Sequence, residues 1–400
     1  MNIGIVGGSV AGQAAAACLH ESGHRIRIFE RSRSKMSDRG AGIALDPRIA
    51  KWLGPDFGLP IIHRSVLDRT GRICWEPALD KKVASWNSVY QELLSRVPDG
   101  LLETGTEVFS AGSDTDHAWL ETKTGERLEF DLVIGADGIG SDIRKVIDHD
   151  FEAEYLGYVA YRGMLDIEKI PQEGQSILQE LNRKKMVNVY LSGSHLVAYL
   201  IERRDGSRCI NWMWYRNIPE DELDQALTDR SGRIRKWSLP EGEVAAQTRA
   251  QLGLEARNQM PESVSSIITA TTLCSAQAIY AGNASTFHST RLILIGDAAR
   301  IGIPHIGAGT SMAIEDARTL TDAIDSEDST AHLIARLAEW NEARRAQTID
   351  TMLFGRELGQ AIQFSGNEWH TWEPKDFDRW WDKLIGTRSV YFDKKNLDSK

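Results

Sequence analysis

Ile3-Gly4-Ile5-Val6-Gly7-Gly8-Ser9-Val10-Ala11-Gly12 is the stretch on which the reading of this chain turns. An apolar strand, Asn2 to Val6, runs into a glycine turn, and Gln13 to Glu21 then has the composition of a helix. Strand, glycine turn and helix in that order make a dinucleotide-binding βα unit. Gly7 permits the tight turn, and Gly12 lets the helix lie close on the sheet. The open helix start at Ser9, Val10 and Ala11 then offers N–H groups and the positive end of the helix dipole to a pyrophosphate. Ser9 stands where the central glycine of the pattern usually lies, and its side chain is small enough for the backbone to approach a ligand. The next strand, Arg25 to Phe29, ends at Glu30, 23 residues after Gly7, with Arg31 beside it. A carboxylate there can accept hydrogen bonds from a ribose diol. The unit alone does not separate FAD from NAD.

Two distant segments repeat the design. Asp131-Leu132-Val133-Ile134-Gly135-Ala136-Asp137-Gly138 is a buried strand running into a tight turn, with Ser141 and Arg144 at the spacing of a helix start. Far downstream, Arg291-Leu292-Ile293-Leu294-Ile295-Gly296-Asp297-Ala298-Ala299 delivers a second acid, followed by Pro304-His305-Ile306-Gly307-Ala308-Gly309 and a helical run from Thr310 to Ile324. Ligands of open α/β sheets bind at the carboxyl ends of the strands. Three such ends, far apart in sequence, point to one ligand gripped along its length, and FAD fits better than a shorter nucleotide. Asp297 can bond ribityl hydroxyls. The Gly307, Ala308, Gly309 turn after Pro304 lets backbone approach a flat ring, and the following helix start offers N–H groups to a reduced, anionic flavin.

These three motifs, in this order and spacing, resemble the class A flavoprotein aromatic hydroxylases of the p-hydroxybenzoate hydroxylase fold, over about residues 1–360. Gly157-Tyr158-Val159-Ala160-Tyr161-Arg162-Gly163, Ser194-His195-Leu196-Val197-Ala198-Tyr199 and Gly296-Asp297-Ala298-Ala299 with Pro304-His305 look most like the 2,6-dihydroxypyridine 3-hydroxylase and 6-hydroxynicotinate 3-monooxygenase branches. The resemblance implies noncovalent FAD, NADH or NADPH as reductant, and O2 delivered through a C4a-hydroperoxyflavin to an electron-rich aromatic or N-heteroaromatic small molecule. It also implies that His195 and Tyr199 contact substrate and that His305 lies in the same pocket. Two positions depart from the pattern. Arg300 stands where many members carry a histidine, and Trp86 or Asn87 occupies a neighbourhood where members often place a cofactor-holding arginine. Both departures bear on the pyrophosphate contacts.

Between Arg144 and Arg291 the pattern changes to strands: Tyr155 to Leu165, Met186 to Leu191, His195 to Ile201 and Cys209 to Tyr215 alternate apolar and polar, with turns at Ser192-Gly193-Ser194 and Asp205-Gly206-Ser207. The expected architecture is therefore α/β: a Rossmann-like FAD-binding domain (1–150 and 286–330), an inserted antiparallel substrate sheet (151–285), and a C-terminal helix with a tryptophan-rich tail (331–400). Side chains two apart share a strand face, so His195, Val197 and Tyr199 point the same way. His305, beside the glycine turn at the flavin's reactive edge, is the leading candidate to accept a substrate proton, with His195 second. Asn211-Trp212-Met213-Trp214-Tyr215 and Ile218-Pro219 invite a halogenase reading, but the spacing is two residues too long, and alternating aromatics fit a packed sheet face.

The chain has 400 residues, with 47 Lys and Arg against 57 Asp and Glu, a formal charge of −10 that disfavours nucleic acid or an anionic membrane face as partner. Four cysteines (18, 74, 209, 274) lie too far apart for metal-ligand spacing and are too few for a disulfide framework, so no metal is expected. The start is not a signal sequence and no apolar run reaches the roughly 20 residues of a membrane helix, which makes a cytoplasmic location the expectation. Arg336, Arg344, Arg345 and Arg356 are expected on a solvated or domain-bridging helix face. Of 12 tryptophans, Trp369, Trp372, Trp380 and Trp381 crowd the tail, which should dock on its own domain or on a second subunit of a homodimer. Two rivals share the flavin site: a reductase or desaturase of the same fold, and a non-catalytic redox sensor.

Overall fold

The computed structural model describes residues 1–33, 41–325 and 332–386. The three distant motifs meet in one sheet. Its strands lie in the order His288–Ser289, Leu292–Leu294, Leu132–Gly135, Asn2–Val6, Arg25–Glu30, Leu102–Thr104. The last five run parallel, with Ile3 paired to Leu132 on one side and to Ile26 on the other. All their carboxyl ends therefore open on one edge. The first helix, Val10–Glu21, is buried from Val10 to Leu19. Four alanines, Ala14 to Ala17, are fully enclosed and let it lie between the sheet and the helix Gly309–Ile324. A helix apolar on every face is a core helix.

A second, larger sheet carries the inserted strands. Cys274–Asn283, Glu154–Asp166, Arg208–Asn217, Ser194–Glu202 and Lys185–Leu191 are successive antiparallel neighbours, as their alternation predicts. The sheet does not stop there. Leu59–Leu67 joins Lys185–Leu191 in parallel, and Ala78–Ser85 and Gly42–Leu45 extend it, so residues 42–85 add strands to what the sequence places at 151–285. The helices Gln175–Asn182, Ala246–Gln259 and Glu262–Ala270 interrupt a stretch read from sequence as strands alone. They cover the back of the sheet in a core with Trp212 and Trp214. Ala246–Gln259 buries only Leu252, Gly253 and Ala256, an apolar stripe too narrow to show as a period.

The long helix Leu333–Gln363 bridges the two parts. Arg356 pairs with Glu154 at 2.5 Å, whereas Arg344, expected on a solvated or bridging face, is buried against Asp316. The tail seats on its own chain: Trp75 donates its indole N–H to Asp378 at 2.8 Å and stacks on Phe377 with centroids 5.5 Å apart. Trp369 and Phe377 are buried in this cluster, and Trp372, Trp380 and Trp381 pack at its margin. Residues 387–400 of the expected tail lie outside the described residues. Among the described residues no helix is long and apolar enough to cross a membrane.

Candidate active site

Between the two sheets lies a cavity of about 460 Å³. Strand alternation builds its roof. Met186, Asn188 and Tyr190 project from one strand; His195, Val197 and Tyr199 from the next; Met213 and Tyr215 from the third. The intervening Leu196, Trp212 and Trp214 face the opposite core. There Trp212 donates to Thr271 Oγ1 at 2.9 Å and Trp214 to Ser194 Oγ at 3.3 Å, which identifies both as packing residues.

The expected pair of histidines meets. His195 and His305 have ring centroids 5.0 Å apart, and Tyr215 stacks on His195 at 4.6 Å. His195 Nδ1 lies 3.1 Å from Gln363 Oε1, so the long helix fixes this ring from behind. His305 Nε2 is 2.9 Å from the Tyr158 hydroxyl, while its Nδ1 has no hydrogen-bond partner among the described residues. Gly359 is the helix position that admits His305, since a Cβ there would come within 2.6 Å of the imidazole. Burial drives the His305 pKa well below its ordinary value, with the neighbouring His195 and Arg64 adding to the effect. Burial likewise lowers His195 to about 4, against a smaller opposing effect of the Gln363 bond. Burial pushes the phenols up, Tyr215 to about 12 and Tyr199 and Tyr158 further. At neutral pH the pocket therefore presents neutral imidazoles as acceptors and protonated phenols as donors.

The opposite end of the cavity is shaped by backbone. Ser9, Val10 and Ala11 line it at the start of the first helix, whose N-cap Ser9 makes no side-chain cap bond. Gly309 and Thr310 line it at the start of a second helix, also without a side-chain cap. Pro304 and Gly307 line it too; Gly307 has φ +58, and a Cβ there would meet the Ala44 methyl at 2.8 Å. Ala308 faces the adjoining cleft. Gly7 has φ +105, and a Cβ on Gly12 would land on the Gly7 carbonyl, so both glycines are required by close approach. The Asp297 carboxylate faces the open cleft and is exposed there, accepts no hydrogen bond from the described residues, and is raised in pKa by the surrounding walls. Two uncapped helix starts and one unpartnered acid facing a single cleft fit the pyrophosphate and polyol chain of FAD.

Other expected cofactor residues are tied to the protein itself or lie outside the cavity. The Glu30 carboxylate accepts from Gly8 N at 2.9 Å and Ser32 N at 2.8 Å, bracing the glycine turn. Asp137 accepts from Ser141 Oγ at 2.5 Å and Asp142 N at 2.7 Å, holding the start of the helix Asp142–Ile147 and not lining the cavity. Arg31 is exposed outside it. Arg300 is withdrawn from any pyrophosphate: it is buried and pairs with Asp316 at 2.6 Å, while Asp316 also accepts from Gly296 N at 2.9 Å. Trp86 lines the cavity and stacks on Tyr90 at 5.1 Å.

Several residues were not singled out by the sequence. Asn211 Oδ1 accepts from Gly42 N at 2.7 Å and Arg162 donates to the Gly42 carbonyl at 3.0 Å. The two bonds clamp the Gly42–Leu45 strand beside the cavity. Arg64, Tyr158 and Tyr215 are further additions; Tyr158 falls inside the quoted Gly157–Gly163 motif, and Tyr215 two positions beyond Met213 shares its face.

Comparison with known proteins agrees with this geometry. Residues 155–280 match the family described as FAD binding domain-like. The chain is 27% identical over 379 residues to a 2,6-dihydroxypyridine 3-monooxygenase of Paenarthrobacter nicotinovorans, covering 91% of this chain and 92% of the relative. It is 24% identical over 369 residues to a 6-hydroxynicotinate 3-monooxygenase of Bordetella bronchiseptica, covering 87% and 89%. The solved structure of 2,6-dihydroxypyridine-3-hydroxylase from Arthrobacter nicotinovorans superposes with a TM-score of 0.83 at 24% identity, covering 93% of this chain and 94% of that one.

Proposed function

We infer that this chain is an FAD-dependent aromatic hydroxylase of the class A flavoprotein type, taking electrons from NADH or NADPH and inserting one atom of O2 into an electron-rich aromatic or N-heteroaromatic small molecule. The observation that carries the reading is the single cavity with two uncapped helix starts and Asp297 at one end and the His195–His305–Tyr215 cluster at the other. FAD, when bound, supplies the activation of oxygen; the protein must place the ring, move its proton and keep water out.

The residues divide accordingly. Val197 and Met213 give an apolar wall, and burial of the cluster excludes water from the reacting centre. Electrophilic hydroxylation favours a ring that has lost its hydroxyl proton. We assign its acceptance to His305, with His195 as the second candidate and Tyr199 as a hydrogen-bond donor to the bound ring. A depressed imidazole pKa keeps the ring unprotonated at neutral pH but makes it a weaker base, so the transfer depends on what surrounds the bound ring. It also means that the charge left on the ring needs a stabilising partner.

For the domains, we propose that 1–150 and 286–330 serve the cofactor and 151–285 the substrate, with the strands in 42–85 shared between them. Four unpaired thiols support a cytoplasmic location. With its tryptophans seated on its own chain, the tail supplies no argument for a homodimer. The functional reading is tested by screening hydroxylated pyridines, phenols and purines for stimulation of NADH or NADPH oxidation by the purified yellow protein. Stimulation by a hydroxylated aromatic is expected; oxidation indifferent to every compound would favour a redox sensor.

A further inference from the structure

We propose that Arg64, oriented by Trp381, is the anion-binding group of the substrate pocket, and that the substrate carries an oxyanion, a carboxylate or a ring oxide, that pairs with it. The proposal rests on the hydroxylase reading and specifies which aromatic compounds that site selects.

Arg64 sits on the strand Leu59–Leu67, where its register partner across the parallel pairing is Met186. That places it on the cavity face, in line with Met186, Asn188 and Tyr190. Among the described residues its guanidinium has the Tyr190 hydroxyl within reach but no carboxylate partner, and its Nε is buried without a hydrogen-bond partner. A half-buried guanidinium without a counter-charge is an unfavourable arrangement that an anionic ligand would complete. The other cavity arginine is already engaged: Arg162 donates to Gly42 O and, at 3.4 Å, to Gln277. Among the described residues, the charges lining the cavity are Arg64, Lys81 and Arg162 against one acid, Asp297, with Asp46 and Asp80 also acting on Lys81. In a chain of net charge −10 the pocket is therefore locally positive. Positive charge from Arg64 also reaches both His195 and His305. An anion neutralising Arg64 would ease proton acceptance by the imidazoles, which ties ring binding to ring activation.

The tail supplies the second part. The Arg64 guanidinium lies over the Trp381 ring, 5.1 Å from its centroid, and Trp381 belongs to the terminal helix Pro374–Ile385. Stacking on one face holds the guanidinium plane and leaves its N–H edge for a planar oxyanion. This gives the docked tail a functional consequence: it sets the direction of the selecting cation.

The test is titration of the FAD-loaded protein with matched probes, read by the change in flavin absorbance. 6-Hydroxynicotinate against 2-hydroxypyridine and 3-hydroxybenzoate against phenol isolate the carboxylate; 2,6-dihydroxypyridine against 2-hydroxypyridine isolates the ring oxide. In at least one pair the anionic member should bind about 10-fold or more tightly. Arg64→Gln should abolish that preference, Arg64→Lys should retain part of it, and Trp381→Leu should reduce it, with flavin content measured on each variant to confirm folding. A preference that survives Arg64→Gln, or no preference in any pair while neutral phenols still stimulate NADH oxidation, overturns the assignment of Arg64 alone. If no hydroxylated aromatic binds or stimulates oxidation, the hydroxylase reading falls with it.

Discussion

Replacing His195 by glutamine removes an imidazole that the fold holds neutral, and the cost of holding it can be worked out. In the native chain His195 is 2% exposed and titrates at about 4, against an ordinary value of 6.5. As pH falls through 6.5 the unfolded chain takes up this proton while the native chain does not, so stability declines until the native pKa is reached and then levels off. The full difference is about 3 kcal/mol, of which about 2 kcal/mol is lost between pH 7 and pH 5. Glutamine cannot titrate and can still meet Gln363, so His195→Gln should lose about 2 kcal/mol less than the parent across that interval. Urea unfolding of both proteins at pH 7 and pH 5, with saturating FAD, measures the double difference and cancels the titrating groups that do not interact with His195; His305, which does, is held as His305→Gln in both proteins. Equal losses in the two proteins would refute the claim that His195 is buried neutral.

Asp316→Asn leaves Arg300 and Arg344 buried without their shared carboxylate, and should lower stability by about 3–5 kcal/mol in the same unfolding assay; a change under about 1 kcal/mol would show that the cluster is not desolvated. Gly12→Ala drives a methyl group into the Gly7 carbonyl, so the purified protein should retain little flavin, whereas full flavin content would mean the turn relaxes freely. His305→Ala should stay yellow but lose coupling between NADH consumption and product; unchanged coupling would remove His305 as proton acceptor.

What the sequence made legible follows from where the information lies. Strand ends at Glu30, Asp137 and Asp297 are local patterns, and one parallel sheet brings them to a common edge. The face shared by His195, Val197 and Tyr199 is fixed by period two alone. Arg64 was invisible for the opposite reason: its direction depends on pairing with Met186, far downstream. Asp137 reads as a ligand because a strand-end acid looks the same whether it turns to a ligand or back to its own Ser141 and Asp142. Arg300 departs from the family pattern for a reason found only in three dimensions, its buried partner on the helix Gly309–Ile324. The tail's tryptophans announced a docking element, but its seat on Trp75 and Tyr190 required the fold.

The central claim is that this cavity inserts oxygen into an aromatic ring. Turnover under 18O2 with NADH and a stimulating hydroxypyridine or phenol, followed by mass spectrometry of the product, addresses it directly. The account predicts a product heavier by one labelled oxygen atom. A product that gains no label, or that differs from substrate only by hydrogen, would contradict it and assign the same flavin site to a reductase or desaturase.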